Sequence, residues 1–317
     1  MSARKGRSSD PNPGRRRRGA PRPALLGLIV AVFVLLAFGV PSIRPAEANT
    51  GCPESTSSFG NQTYVGTCTI TSSTTWENGV LTITGDVVVN APLTLRNLVI
   101  AFSPSFDGEY ELIVSATLDL QGGGIQSTNG NHWRVQSVAG SITIRNGTFN
   151  RGTWDLRDSP STLVNNVFEN VNARQALDGQ HMWVGPNSTV SHNTFTGIQV
   201  DDGAVMISRM NYGNIRFFAN TIGYECMPRS VLSNCMGIEV LSSQVEHTPI
   251  APVPAVEITW NNFTFEAIAA NTDSNAVDIE FSDRVYVHNN TMRVIHATQL
   301  DAITEFILSG GARDSVF

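Results

Sequence analysis

From about Val80 onward, apolar and polar residues alternate in short runs, and the runs resemble one another. The octets Leu93 to Ile100 (LTLRNLVI), Ile142 to Phe149 (ITIRNGTF), Ser161 to Phe168 (STLVNNVF), Ser188 to Phe195 (STVSHNTF), Ile215 to Ile222 (IRFFANTI), Ile258 to Phe265 (ITWNNFTF) and Val285 to Met292 (VYVHNNTM) superimpose. Each runs apolar, polar, apolar, polar, then Asn or a substitute, often a second Asn, any residue, and a closing apolar residue. With Leu118 to Ile125 (LDLQGGGI) added, the closing residues fall at 100, 125, 149, 168, 195, 222, 265 and 292. A shorter alternating run precedes the octet in the later repeats: Met182 to Val184, Val205 to Ile207, Ile238 to Val240, Val277 to Ile279 and Ile303 to Phe306. Period-two alternation predicts strands, and no helical period intervenes.

A repeat this short cannot bury its apolar face alone, so the pattern is viable only as a stack of coils around a shared interior. Parallel stacking pairs each strand with the coil before and after it. Asn is depleted in ordinary strands. Its recurrence at one turn predicts a ladder in which side-chain amides bond along the axis. The long step from 222 to 265 holds Cys226, Cys235 and the Pro-rich run Thr248 to Pro254, and reads as one coil with a large insertion. The repeat resembles the pectate-lyase-like superfamily over roughly Val80 to the C-terminus. The predicted fold is therefore all-β, a right-handed parallel β-helix following an N-terminal signal segment.

Basic residues Arg4, Lys5, Arg7 and Arg15 to Arg18 precede an apolar stretch from Ala24 to Val40, the pattern of an export signal. Ala46-Glu47-Ala48 offers small residues for cleavage before Asn49; if uncleaved, residues 1–48 are a membrane anchor. Residues 49–79 then form an N-terminal cap or first coil, and 80–317 the β-helix. The chain stops just after another strand has begun, with no cap in sight. That leaves either an incomplete helix or an end covered by a partner or an oligomer contact. Cys52, Cys68, Cys226 and Cys235 all follow the signal, an even number suited to an oxidising compartment. The simplest pairing is Cys52 with Cys68 and Cys226 with Cys235; a metal site is the rival, but no C-x-x-C supports it.

Charge changes the functional picture. Beyond residue 48 there are 12 basic and 25 acidic residues and no lysine. Such a surface releases few phosphate counterions, which argues against a nucleic-acid partner, and the absence of lysine there excludes a lysine Schiff base. Many members of the resembling superfamily act on acidic polysaccharides with carboxylates, arginine or calcium on the outer face of one sheet. That implication directs attention to the short strands. Asp155, Trp183, Met206, Glu239, Asp278 and Thr304 share the middle position, with Arg157, Ser208, Leu241 and Glu280 two residues on. Coils are about 4.8 Å apart, so Glu239 and Asp278 approach the roughly 5 to 5.5 Å that a retaining glycosidase requires.

Just before these strands, Asp178, Asp201, Asn234, Asp273 and Gln299 fall at one turn position, with Asp202 beside Asp201. Stacked carboxylates repel unless a cation, Arg209 or a proton intervenes. Calcium held by Asp201 and Asp273 is one answer; a plain turn preference for Asp and Asn is the other. Asp201-Asp202 and Asn271-Thr272-Asp273 are similar to polygalacturonase motifs but occur in reversed order, and neither G-H-G nor R-I-K is present. Trp183, with Met182 and Val184 pointing inward, is expected to offer its ring to sugar, flanked by His181 and Arg157. Trp260 occupies an apolar octet position and is expected in the core. Two functions remain: a non-catalytic surface rod that contacts polysaccharide or the cell envelope, and a polysaccharide lyase, hydrolase or epimerase. The catalytic candidates under the second are Asp201, Asp202, Glu239, Asp278, Glu280 and Arg209.

Overall fold

Alternation becomes architecture because every second side chain leaves water only if coils stack. The computed structural model describes residues 49–50, 52–53, 55, 58–169, 182–200, 203–208, 214–226, 233–241, 256–267, 272–280, 284–296 and 303–310. All of these belong to one compact unit, Ala46–Phe317; the other unit, Met1–Pro45, and with it the export segment, lies outside the described residues. Among the described residues there is no helix, and none long and apolar enough to cross a membrane. The strands form two sheets of 17 and 10, and the ten-stranded sheet follows chain order from Cys68–Ile70 to Ile303–Gly310, each strand parallel to its neighbours. The fold is thus all-β, built of parallel strands from successive repeats, as a parallel β-helix requires.

Most octets are not single strands. Ser161–Val164 and Val167–Glu169, for example, are separated by Asn165 at φ 55°. Asn97, Asn146, His192, Ala219, Trp260 and Asn289 take the same place, with φ between 48° and 60°. A left-handed residue turns the chain through a corner, and Asn tolerates that conformation better than most side chains. The residue after it does different work. Asn166, Asn193, Asn220 and Asn261 are buried, and each Nδ2 donates to the Oδ1 of the next ladder residue at 3.0 Å, ending on Asn290. Each Oδ1 also accepts the preceding ladder residue's backbone N–H, at 2.8 to 2.9 Å. The predicted ladder is present, and it belongs to the second Asn of the pair.

The closing residues line the interior in register: Ile100 with Ile125, then Phe149, Phe168, Phe195 and Ile222. Phe149, Phe168 and Phe195 stack at centroid distances of 5.2 and 4.9 Å. Each buried ring contributes roughly 1.5–3 kcal/mol through apolar burial.

Two frames differ from expectation. Ile222 pairs with Phe263 and Phe263 with Met292, so the octet is Val256 to Phe263, with ladder steps of 41 and 29 residues. Trp260 therefore falls at the corner and is 66% exposed, not in the core. In the last strand Leu308, not Thr304, lies opposite Asp278, and Thr304 pairs with Ser274.

At the N-terminal end, Cys52 and Cys68 form a disulfide, while Trp76 donates its Nε1–H to the Pro53 carbonyl at 3.3 Å and meets Phe59 edge-on. Cys235 is also disulfide-bonded. The side chain of Cys226, its expected partner, lies outside the described ones. Disulfides of this kind fit an oxidising compartment.

Candidate functional site on the ten-stranded sheet

Val135, Trp154, Met182, Val205, Ile238 and Val277 point into the interior, so the residues between them project outward. Register aligns Gln136, Asp155, Trp183, Met206, Glu239 and Asp278 in one row, outward at every position but Met206, whose side chain lies outside the described ones. Sequence spacing alone placed five of these together. Gln136 is exposed, but the later members are covered: Asp155 is 7% exposed, Trp183 8%, Glu239 4% and Asp278 3%. Outward here does not mean solvated.

Glu239 and Asp278 lie opposite one another on adjacent strands, about 4.8 Å apart along the stack. Two carboxylates at that spacing, away from water, repel unless donors, a proton or a cation stand between them. Both engage partners within the fold. Geometrically they could serve as an acid and a nucleophile or base.

Asp155, Arg157 and Trp183 form a second group. Arg157 donates Nε–H and an Nη2–H to the two Asp155 oxygens at 2.8 and 2.6 Å, and its guanidinium lies 4.4 Å from the centre of the Trp183 ring. A forked ion pair stacked on an indole fixes all three side chains. Trp183 is therefore not an open stacking platform, because Arg157 covers its ring. Among the described residues its buried Nε1–H has no hydrogen-bond partner. Arg157 keeps 28% of its side chain exposed and remains the part of this group that a ligand can reach.

Other expected residues fall elsewhere. His181, Asp178, Asp201, Asp202 and Arg209 lie outside the described residues. Glu280 pairs in register with Leu241, while Asp273 pairs with Asn234 and Ile303 inside strands, not at a turn; the side chains of Glu280 and Asp273 are outside the described ones. Among the described residues, no group of three or more His, Cys, Asp or Glu is placed to hold a metal.

The early coils add charged residues that sequence reading passed over. Asp86 accepts the Glu111 backbone N–H at 3.0 Å, and Arg134, opposite Glu111 in register, approaches its carboxylate at 3.7 Å. Burial raises the Glu111 pKa, Arg134 pulling it back and Asp86 adding to the rise. Burial also raises Tyr110, helped by Glu109 and Asp86. Buried His132 meets Asp107 at 2.7 Å through both Nδ1 and its backbone N–H. The available signal was the alternation of Glu111–Val114 and Trp133–Ser137, which marks Glu111 and Arg134 as outward. No family model, curated protein or solved structure matches the chain, so the site's chemistry rests on its own geometry.

Proposed function

We propose that the chain is an exported, right-handed parallel β-helix of the pectate-lyase-like kind, a non-catalytic rod that contacts polysaccharide along the outer face of its ten-stranded sheet. One observation carries this reading. The outward row holds Asp155 clamped to Arg157, Trp183 beneath it, and buried Glu239 beside buried Asp278. Stacking does not require these groups. Aliphatic side chains would fill the same places without the desolvation cost that buried carboxylates carry. The Arg157 guanidinium, fixed on Asp155 and Trp183 with 28% of its side chain still exposed, is the group on this face that suits a polyhydroxylated ligand. The lysine-free, acidic surface favours a neutral glycan, or an acidic one bridged by calcium.

A second reading, hydrolysis, lyase cleavage or epimerisation, draws on the Glu239 and Asp278 juxtaposition, because strand spacing approaches the separation of a retaining carboxylate pair. One experiment tests both. The mature chain is incubated with xylan, pectin, alginate and glycosaminoglycans, with and without calcium. The rod reading predicts retention of the protein on at least one glycan, with no new reducing ends and no unsaturated-sugar absorbance. Product that disappears in both Glu239→Gln and Asp278→Asn would establish the enzyme instead. Neither retention nor product would overturn both.

A further inference from the structure

Trp260 costs the fold twice. It holds a left-handed corner at φ 60°, where a bulky side chain is an outlier, and the residue is 66% exposed. Asn165 and Asn289 turn the same corner on other coils without either cost. The other four tryptophans, Trp76, Trp133, Trp154 and Trp183, are buried. Among the described residues, Trp260 is also the one large hydrophobic residue exposed along this row of corners.

Its setting is polar. Exposed His288 and Asn289 follow on the next coil, joined by a 3.0 Å contact between Asn289 Nδ2 and His288 Nδ1. On the preceding coil, Ala219 occupies the corner, where it contributes a methyl group, and donates its N–H to the Thr259 carbonyl, with half-buried Phe218 opposite Thr259. A stable protein partner or second copy needs about 1,200 Å² of buried surface, far more than one ring offers. A pyranose, with one apolar C–H face and a rim of hydroxyls, matches a single indole bordered by hydrogen-bonding side chains.

We propose that Trp260 is a carbohydrate-contact platform on the seventeen-stranded sheet, where a pyranose ring lies on the indole and His288 and Asn289 meet its hydroxyls. The class of ligand rests on the polysaccharide reading above; the location does not, because the carboxylate row lies on the other sheet. Full-length wild type, Trp260→Asn and the double variant Glu239→Gln/Asp278→Asn are run by affinity electrophoresis through gels containing xylan, pectin, alginate or chondroitin sulfate. Each is also melted. Wild type is expected to be retarded, and Trp260→Asn to bind roughly tenfold more weakly while melting at the same or a higher temperature. Acrylamide quenching of the red-edge tryptophan emission should fall when the glycan is added to wild type. Undiminished retention of Trp260→Asn, or a clear fall in its melting temperature, would overturn the proposal. If only the carboxylate variant loses retention, the ten-stranded face binds and Trp260 does not. If only Trp260→Asn loses it, the reverse holds. No retardation of wild type in any gel overturns both.

Discussion

Replacing Asn193 with alanine tests the ladder most sharply. The Asn193 side chain makes four hydrogen bonds: it donates to Asn220 Oδ1 and Leu163 O, and accepts the backbone N–H and the Nδ2–H of Asn166. Alanine leaves the Asn166 N–H without an acceptor where Asn166 is 1% exposed, and removes a donor from the Leu163 carbonyl. Each orphaned buried group costs about 1–3 kcal/mol, so the expected loss for the two is roughly 2–6 kcal/mol. Two controls isolate the effect. Thr194→Ala changes a half-buried outward residue and should cost under about 1 kcal/mol. Asn165→Gly keeps the left-handed corner and should be close to neutral. Denaturant unfolding followed by circular dichroism gives the totals, and hydrogen exchange at the Asn166 amide gives the local opening. Should Asn193→Ala cost no more than Thr194→Ala, or should Asn166 exchange at its wild-type rate, the ladder does not hold the corner.

Glu111 supplies a pH test. Its folded carboxyl keeps its proton more tightly than the unfolded one, so stability falls as pH rises from the ordinary 4.5 through the raised folded value. Glu111→Gln should therefore melt higher than wild type at neutral pH, with the gap closing in acid; a gap of the opposite sign would show that the Arg134 pair dominates. Serine at both Cys52 and Cys68, which close a 16-residue separation, should cost roughly 3 kcal/mol in thermal unfolding. Arg157→Ala should uncover the Trp183 ring, making its fluorescence accessible to acrylamide, and destabilise by about 1–3 kcal/mol through the loss of Asp155's charged partner.

Much of the fold was legible because stacking repeats one physical problem. The closing residues from Ile100 to Ile222, the Asn ladder and the alignment from Asp155 to Asp278 follow from period and alternation, and the Cys52 and Cys68 pairing from their closeness in the chain. The errors share a cause. A shift of two residues leaves every side chain on its original face, so VEITWNNF and ITWNNFTF satisfy the pattern equally well. Only the corner geometry distinguishes them, and it moved Trp260 from core to surface. The last strand slipped by four residues for the same reason, exchanging Thr304 for Leu308. In the candidate site, register was readable but coverage was not. Nothing in a local pattern reports that an outward row is buried, or that Arg157 lies across Trp183.

The Asn ladder, the carboxylate row and the Trp260 corner all depend on successive repeats lying in register, one strand spacing apart. Thr75, Thr94, Asp119, Thr143, Thr162 and Thr189 are consecutive partners across the stack. Spin labels at Thr75 and Thr189 should therefore lie roughly 24 Å apart, and labels at Thr94 and Thr189 roughly 19 Å, at about 4.8 Å per coil. Dipolar electron resonance that gives these two distances, differing by one coil step, is the predicted result. Equal or widely scattered distances would contradict the stack and disperse the carboxylate row with it.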